Sequence, residues 1–225
     1  MCSNYEPETR EQYLLRYFGV KPEKLKERIG EVVWPTHLAP FIRLHEDGSG
    51  NRVIEDGMFG LLPHFAKELA FGRKTYNARC ETVDQKPSYR DAWEKGRRCI
   101  VPAQVVYETS YESGKAVRWR VHQPSGIPFG IAGIYNQWRA PDGKLQWTFA
   151  MLTCNAEGHP VYKRFHRPGD EKRMIVILAD ADYERWLTCS PEEAKTFFKQ
   201  WTGELETSPV SGVAPRRARS AAKER

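Results

Sequence analysis

The sequence predicts an α+β domain, mainly antiparallel β, with a barrel-like core and peripheral helices. Three observations lead there. Short apolar segments recur between Gly, Pro and Asp, the punctuation expected of strands joined by turns. They do not alternate with long helices, as a parallel α/β sheet requires. The chain also lacks internal repeats and a glycine-rich phosphate loop.

The elements follow in order. Residues 7–18 (PETREQYLLRYF) read as a helix with Pro7 in its first turn, Tyr13, Leu14, Tyr17 and Phe18 as its apolar stripe, and Gly19 as its stop. A second short helix is expected after Pro22, with Leu25 and Ile29 inward. Strands are expected around 40–44, 52–60, 97–107, 116–122, 128–138, 146–154 and 173–178. RWRVH (118–122) is compatible with alternating faces and RMIVIL (173–178) with a buried strand. PSYRDAWEKG (87–96) reads as a helix ended by Gly96. SPEEAKTFFKQW (190–201) reads as another. There Ser190 and Glu193 form a capping box, Pro191 takes the first helical position, and Ala194, Phe197, Phe198 and Trp201 share a face.

With 225 residues the chain is large enough to fold as one domain without staples. We place that domain at residues 2–207 and a disordered basic tail at 208–225, where polar residues dominate and aromatics are missing. The tail holds five Lys/Arg and one Glu, so most of the net charge of +6 resides there. Bulk charge therefore does not make the body a DNA binder. Five cysteines, Cys2, Cys80, Cys99, Cys154 and Cys189, are scattered without metal-ligand spacing. They point to reduced thiols, with no zinc, disulfide framework or other cofactor. The polar, acidic start shows no signal peptide, and no apolar run approaches the ~20 residues of a membrane span. A cytoplasmic monomer is expected.

Four places carry chemically suggestive residues. Cys2 directly follows the initiator methionine, so trimming of Met1 leaves a thiol and a free α-amine on adjacent carbons. In TYNARCET (75–82), Asn77, Arg79 and Glu81 alternate along an extended segment. CIVPAQVVYETS (99–110) delivers Glu108 at the end of an apolar run, where partial burial would raise its pKa. His166 lies among Lys163, Arg164, Arg167, Lys172 and Arg173. Taken singly, each is more often structural: a frayed terminus, a turn, a surface ion pair, a loop histidine.

Together, and in order, they resemble a family. MC at the start, N-A-R-x-E-T at 77–82, CIVPA with Tyr107-Glu108 after it, and a histidine before Arg173-Met174 are similar to the SRAP (SOS-response-associated peptidase, abasic-site processing) family. LAP at 38–40 and GLLP at 60–63 match the family's proline-bearing turn and its W-G-L-x-P segment. The resemblance implies a barrel-like fold that binds single-stranded DNA and cross-links to abasic sites through the N-terminal cysteine. On it, Cys2 is the nucleophile, Asn77 holds the terminal residue and sugar, Glu108 moves protons, and His166 assists ring opening or reversal. Arg79, Arg173 and Pro40 would contact DNA. Autoproteolytic release of Met1 and lyase activity are further implications. The chain departs from the pattern at Ser3-Asn4, where the family has Gly-Arg, at Thr109 for Trp, at Ile175 for Pro, and in a longer loop after His166.

The chemistry explains why a terminal cysteine is wanted. An amine attacks the open-chain aldehyde of an abasic deoxyribose to give an imine, and a neighbouring thiol closes a five-membered thiazolidine. Only a 1,2-aminothiol does both. With a pKa near 7.8, roughly 14% of an α-amine is neutral at pH 7, a ~300-fold advantage over lysine. The thiol, with a reference value near 8.5, is expected to be accessible as thiolate. Two rivals remain. One is an N-terminal nucleophile amidohydrolase with a layered α/β/β/α fold, in which the cysteine attacks an amide. The other is a non-covalent reader of single-stranded or modified DNA, with Trp34, Trp93 or Trp138 stacking on bases.

Overall fold

The computed structural model describes residues 2–22, 25 and 29–210. Eleven strands lie in it: β1 (Tyr5–Pro7), β2 (Leu38–Leu44), β3 (Arg52–Phe59), β4 (Asn77–Arg79), β5 (Arg98–Ser110), β6 (Val117–His122), β7 (Phe129–Arg139), β8 (Leu145–Asn155), β9 (Arg173–Ile175), β10 (Ile177–Leu178) and β11 (Glu206–Pro209). Strands β7, β8, β3, β2 and β5 pair in that order, and β5 pairs again with β7, closing a five-stranded barrel. Pairing is antiparallel except for β3 and β4, which both run parallel to β8. Closure leaves the ring without a free edge. The architecture is the α+β, barrel-like one expected.

The long strand β5 is the spine. Its residues are nearly all buried, and it pairs with β1, β2, β6 and β7. A strand buried on both faces reads as a continuous apolar run rather than an alternation, as CIVPAQVV does. Inside the barrel Phe41, Phe59 and Phe149 stack with centroids 5.5–5.6 Å apart, contacts worth roughly 0.5–1.5 kcal/mol each beyond their burial. Gly60, at φ +132°, lets the GLLP segment pass the chain closely. A Cβ there would meet the Gly72 carbonyl oxygen at 2.4 Å.

The expected helix at 7–18 begins later. Pro7 ends β1, and helix α1 (Glu11–Tyr13) continues into a wider π-type turn over Leu14–Phe18 that stops at Gly19, φ +68°. Tertiary pairing overrode local pattern there, because residues 5–7 complete the sheet beside β5. Most of the short helix expected after Pro22 lies outside the described residues. Helix α2 (Pro87–Glu94) forms as expected, with Gly96 left-handed beyond it. Helix α3 (Tyr183–Thr188) was not anticipated. Helix α4 (Pro191–Ala194) has the expected cap, Ser190 accepting from the Glu193 N–H at 3.1 Å, but one tight turn over Lys195–Phe197 ends it before Trp201. At the far end β11 pairs with β6 through Pro209, beyond the expected boundary at 207, and residues 211–225 lie outside those described.

Candidate active site

Strand β1 tethers the N-terminal segment to the spine, Tyr5 opposite Val106, and the Tyr107 N–H donates to the Asn4 carbonyl at 3.1 Å. This docks Cys2 in the core, 1% exposed, at the end of the barrel where Glu108 emerges. Its Sγ donates to the Asn4 carbonyl at 3.5 Å. Strand β4, held parallel to β8, supplies Asn77, whose Nδ2 donates to the Cys2 carbonyl at 2.7 Å. The Tyr89 hydroxyl, from α2, donates to the Asn77 carbonyl at 3.0 Å and fixes β4 from outside.

His166 arrives from the other edge of β5. Phe165 bridges Ser110, and the His166 N–H donates to the Thr109 carbonyl at 2.8 Å. Its backbone sits at φ +68°, a left-handed conformation uncommon for residues with a Cβ but one that His adopts more readily than most. The turn carries the imidazole to Glu108, with Nε2 and Oε2 3.4 Å apart. Cys2, Asn77, Glu108 and His166 thus come together from four separate segments.

Burial sets their protonation. The Glu108 carboxyl, 4% exposed, is pushed up to about 7 by desolvation. His166 is lowered to about 4, first by burial and then by nearby positive charge including Lys172. Near neutral pH the imidazole is therefore uncharged, while the carboxyl holds both protonation states in comparable amounts. The Cys2 thiol is raised to about 12 by burial and by the Glu108 charge. This corrects the expectation of an accessible thiolate, since the thiol is protonated near neutral pH.

A cavity of about 390 Å³ opens onto Glu108 and His166, also lined by Asn4, Trp34, Tyr107 and Arg118. Arg118 is a cavity residue that the sequence does not single out. The signal was the RWRVH alternation, which puts Arg118 and Arg120 on one face of β6.

Other expected residues fall elsewhere. Arg173 is not at a DNA surface: its side chain is 2% exposed and donates to Glu81 at 2.9 and 3.2 Å, to Glu171 at 2.5 Å and to the Thr153 carbonyl at 2.6 Å. It ties β9 to β8 and the end of β4, and has no free N–H fork for a phosphate. Pro40 is also buried, inside β2 opposite Asp56, so it offers no DNA contact. Trp93 and Trp138 belong to the core, whereas Trp34 is only half-buried. Arg79 keeps an exposed side chain, paired with Glu171 at 2.9 Å. The basic cluster around His166 is weaker than its sequence suggests, since Arg164 pairs with Glu112 at 3.0 Å.

Replacing Arg173 with methionine is therefore expected to lower unfolding free energy by about 2–4 kcal/mol, because a buried multidentate ion pair loses its centre. A urea midpoint measures this. A parent-like midpoint would return Arg173 to the surface role expected from sequence.

Among the described residues, no group of three or more His, Cys, Asp or Glu could hold a metal ion, and no helix is long and apolar enough to cross a membrane.

The model of a family described as SOS response associated peptidase (SRAP) matches residues 1–214. Abasic site processing protein YoqW of Bacillus subtilis (strain 168) is 34% identical over 142 residues, 63% of this chain and 59% of that protein. Abasic site processing protein YoaM of the same organism is 34% identical over 162 residues, 70% and 67% of the two chains. The chain thus spans 59% of the length of YoqW. A crystal structure of a Bordetella bronchiseptica protein superposes with a TM-score of 0.85 at 34% identity, covering 93% of this chain and 99% of that one. A Bacteroides thetaiotaomicron structure, at 22% identity and a TM-score of 0.75, shares the fold.

Proposed function

The chain belongs to the SRAP family, and on that premise we propose that it captures abasic sites in single-stranded DNA as a covalent thiazolidine through Cys2, once Met1 is removed. Relatives named as abasic site processing proteins support the substrate. The observation that carries the mechanism is the cluster itself: an aminothiol-bearing residue held by Asn77 beside a buried carboxyl of pKa about 7.

The steps balance with the loss of one water. The neutral α-amine of Cys2 adds to the C1′ aldehyde, giving a carbinolamine. Protonated Glu108 donates to the departing hydroxyl, which leaves as water and forms the imine. That step leaves the imine protonated, so when the carboxylate takes the Cys2 thiol proton and sulfur adds to the iminium carbon, the ring closes with a neutral N–H and Glu108 is restored to its protonated form. A thiol at about 12 needs such a base at hand. Opening of the sugar ring uses the same carboxyl, passing a proton between the C1′ hydroxyl and the ring oxygen. Asn77 Oδ1, buried and without a hydrogen-bond partner among the described residues, is the acceptor for the amine or a sugar hydroxyl. Exposed Arg79 contacts a phosphate in this scheme. The same carboxyl would serve autocatalytic release of Met1. The protein would act as a monomer, in the cytoplasm, at the nucleoid if its host is bacterial.

Incubation with a single-stranded oligonucleotide carrying one abasic site, followed by a denaturing gel, tests the reading. A shifted band without borohydride is expected, and its absence overturns covalent capture. Binding without capture would favour the non-covalent reader. The amidohydrolase rival called for a layered fold, which the closed barrel contradicts.

We assign reversal to His166, whose neutral imidazole takes a proton from the water that adds to the iminium once the ring has reopened, while protonated Glu108 returns a proton to the departing sulfur. His166→Ala is expected to release preformed adduct at least tenfold more slowly, in line with the ~10²–10⁴-fold reach of a positioned base. A chase with excess abasic competitor reads the rate, and parent-like release would refute the assignment.

A further inference from the structure

The cavity that reaches Glu108 and His166 also holds Arg118, a cation the chemistry above does not use. Arg118 stands on β6 opposite Thr109, one register step from Glu108. Its guanidinium carbon lies 3.5 Å from the Tyr107 ring centroid and 5.5 Å from that of Trp34. Aromatic faces hold the plane of the group and leave its edge for hydrogen bonds. Yet its Nε and Nη2 are shut from solvent and meet no acceptor among the described residues. Of the nearby carboxylates, Glu6 pairs with Arg120 at 2.9 Å and accepts from the Tyr107 hydroxyl, Glu112 pairs with Arg164, and Asp170, which also lines the cavity, makes no ion pair with Arg118. Ser3 and Asn4, which the N-terminal segment brings to the same cavity, carry no charge.

A guanidinium edge with no acceptor, inside a cavity and one strand from the reacting carboxyl, is matched to an anion that arrives with the substrate. Resting on the reading of this cavity as an abasic-site pocket, we propose that Arg118 binds a phosphodiester of the captured strand, next to the abasic sugar. The phosphate accepts two N–H bonds from the guanidinium edge after a small shift of the side chain. Contact with the backbone carries no base preference, as suits a lesion that has no base. Arg118 thus positions the sugar rather than taking part in the chemistry.

The test uses an undamaged fluorescent oligo-dT, which has no aldehyde, so binding is read apart from capture. Arg118→Met is expected to bind about three- to tenfold more weakly, with a log–log salt slope shallower by about 0.7, one single-strand phosphate. Arg118→Lys should keep the slope and lose part of the affinity, since a point charge replaces a fork. Parent-like affinity and slope in Arg118→Met would overturn the proposal. If that variant unfolds, the Nε–H resonance of Arg118 in the parent protein decides. It should shift on titration with oligo-dT, and an unmoved signal at saturation overturns the proposal equally. Failure of the parent to cross-link an abasic strand while binding oligo-dT would sink covalent capture and leave the Arg118 contact standing.

Discussion

Cys2→Ala is expected to abolish the adduct that survives a denaturing gel without borohydride. The variant keeps a terminal amine, so it still forms an imine, but an imine hydrolyses readily and sulfur alone closes the stable ring. Cys2→Ser is expected to behave as an imine former too, visible only after reduction. Intact mass of the parent should show Met1 absent and the DNA mass carried on residue 2. Burial makes the prediction sharper. At a pKa near 12, the thiol is an almost wholly protonated group that would seldom react with a soluble aldehyde by itself. In the proposed mechanism its reactivity depends on the neighbouring carboxylate generated one step earlier. A Cys2→Ala protein that yields the same stable, unreduced product would reject the thiazolidine.

Glu108→Gln is expected to slow adduct formation by about 10²–10⁴-fold, the usual span for loss of a positioned acid–base group. The pH profile distinguishes this from a trivial defect. Capture needs the neutral amine, gained as pH rises through about 7.8, and the protonated carboxyl, lost as pH rises through about 7. The product of the two fractions peaks between about 7 and 8. In Glu108→Gln the alkaline limb should vanish and the residual rate should simply climb with the amine. Stability should move the opposite way. The carboxyl's folded value of about 7 lies above the ordinary 4.5, so the unfolded chain holds fewer protons between those pH values. The group therefore destabilises the fold progressively from pH 4.5 to 7, by about 3 kcal/mol once both states are ionised. A glutamine at 108 removes that penalty, so the variant should melt higher than the parent at pH 8 while reacting far more slowly. Retention of the parent's bell-shaped profile would reject Glu108 as the proton carrier.

The groups proposed to react were legible because their chemistry is local. An aminothiol needs a cysteine after the methionine, and a carboxyl ending VVY announces its own desolvation. His166 was legible as a histidine among cations, although burial turns out to be the larger cause of its neutrality. Residues suited to contact DNA were harder to find, since sequence shows charge without exposure. Arg173 reads as a surface cation, but β9 pairs with β8 and turns it inward onto Glu81 and Glu171. Arg118 reads as one basic residue among thirty-five, and only the β5–β6 register brings it to the cavity. Trp93, Trp138 and Pro40 were offered to DNA for the same reason and belong to the core.

By itself the sequence determined which chemistry is available, where most of the barrel strands run, and that the sheet is mainly antiparallel. These rest on residue type and short-range period, which are properties of a few neighbours along the chain. Tertiary structure decided that residues 5–7 are a strand, that the last pairing runs through Pro209, and which cations face the cavity. It also decided the protonation of the site. A pKa depends on the medium around the group, and that medium forms only when β1, β4, β5 and the His166 turn converge from distant parts of the chain.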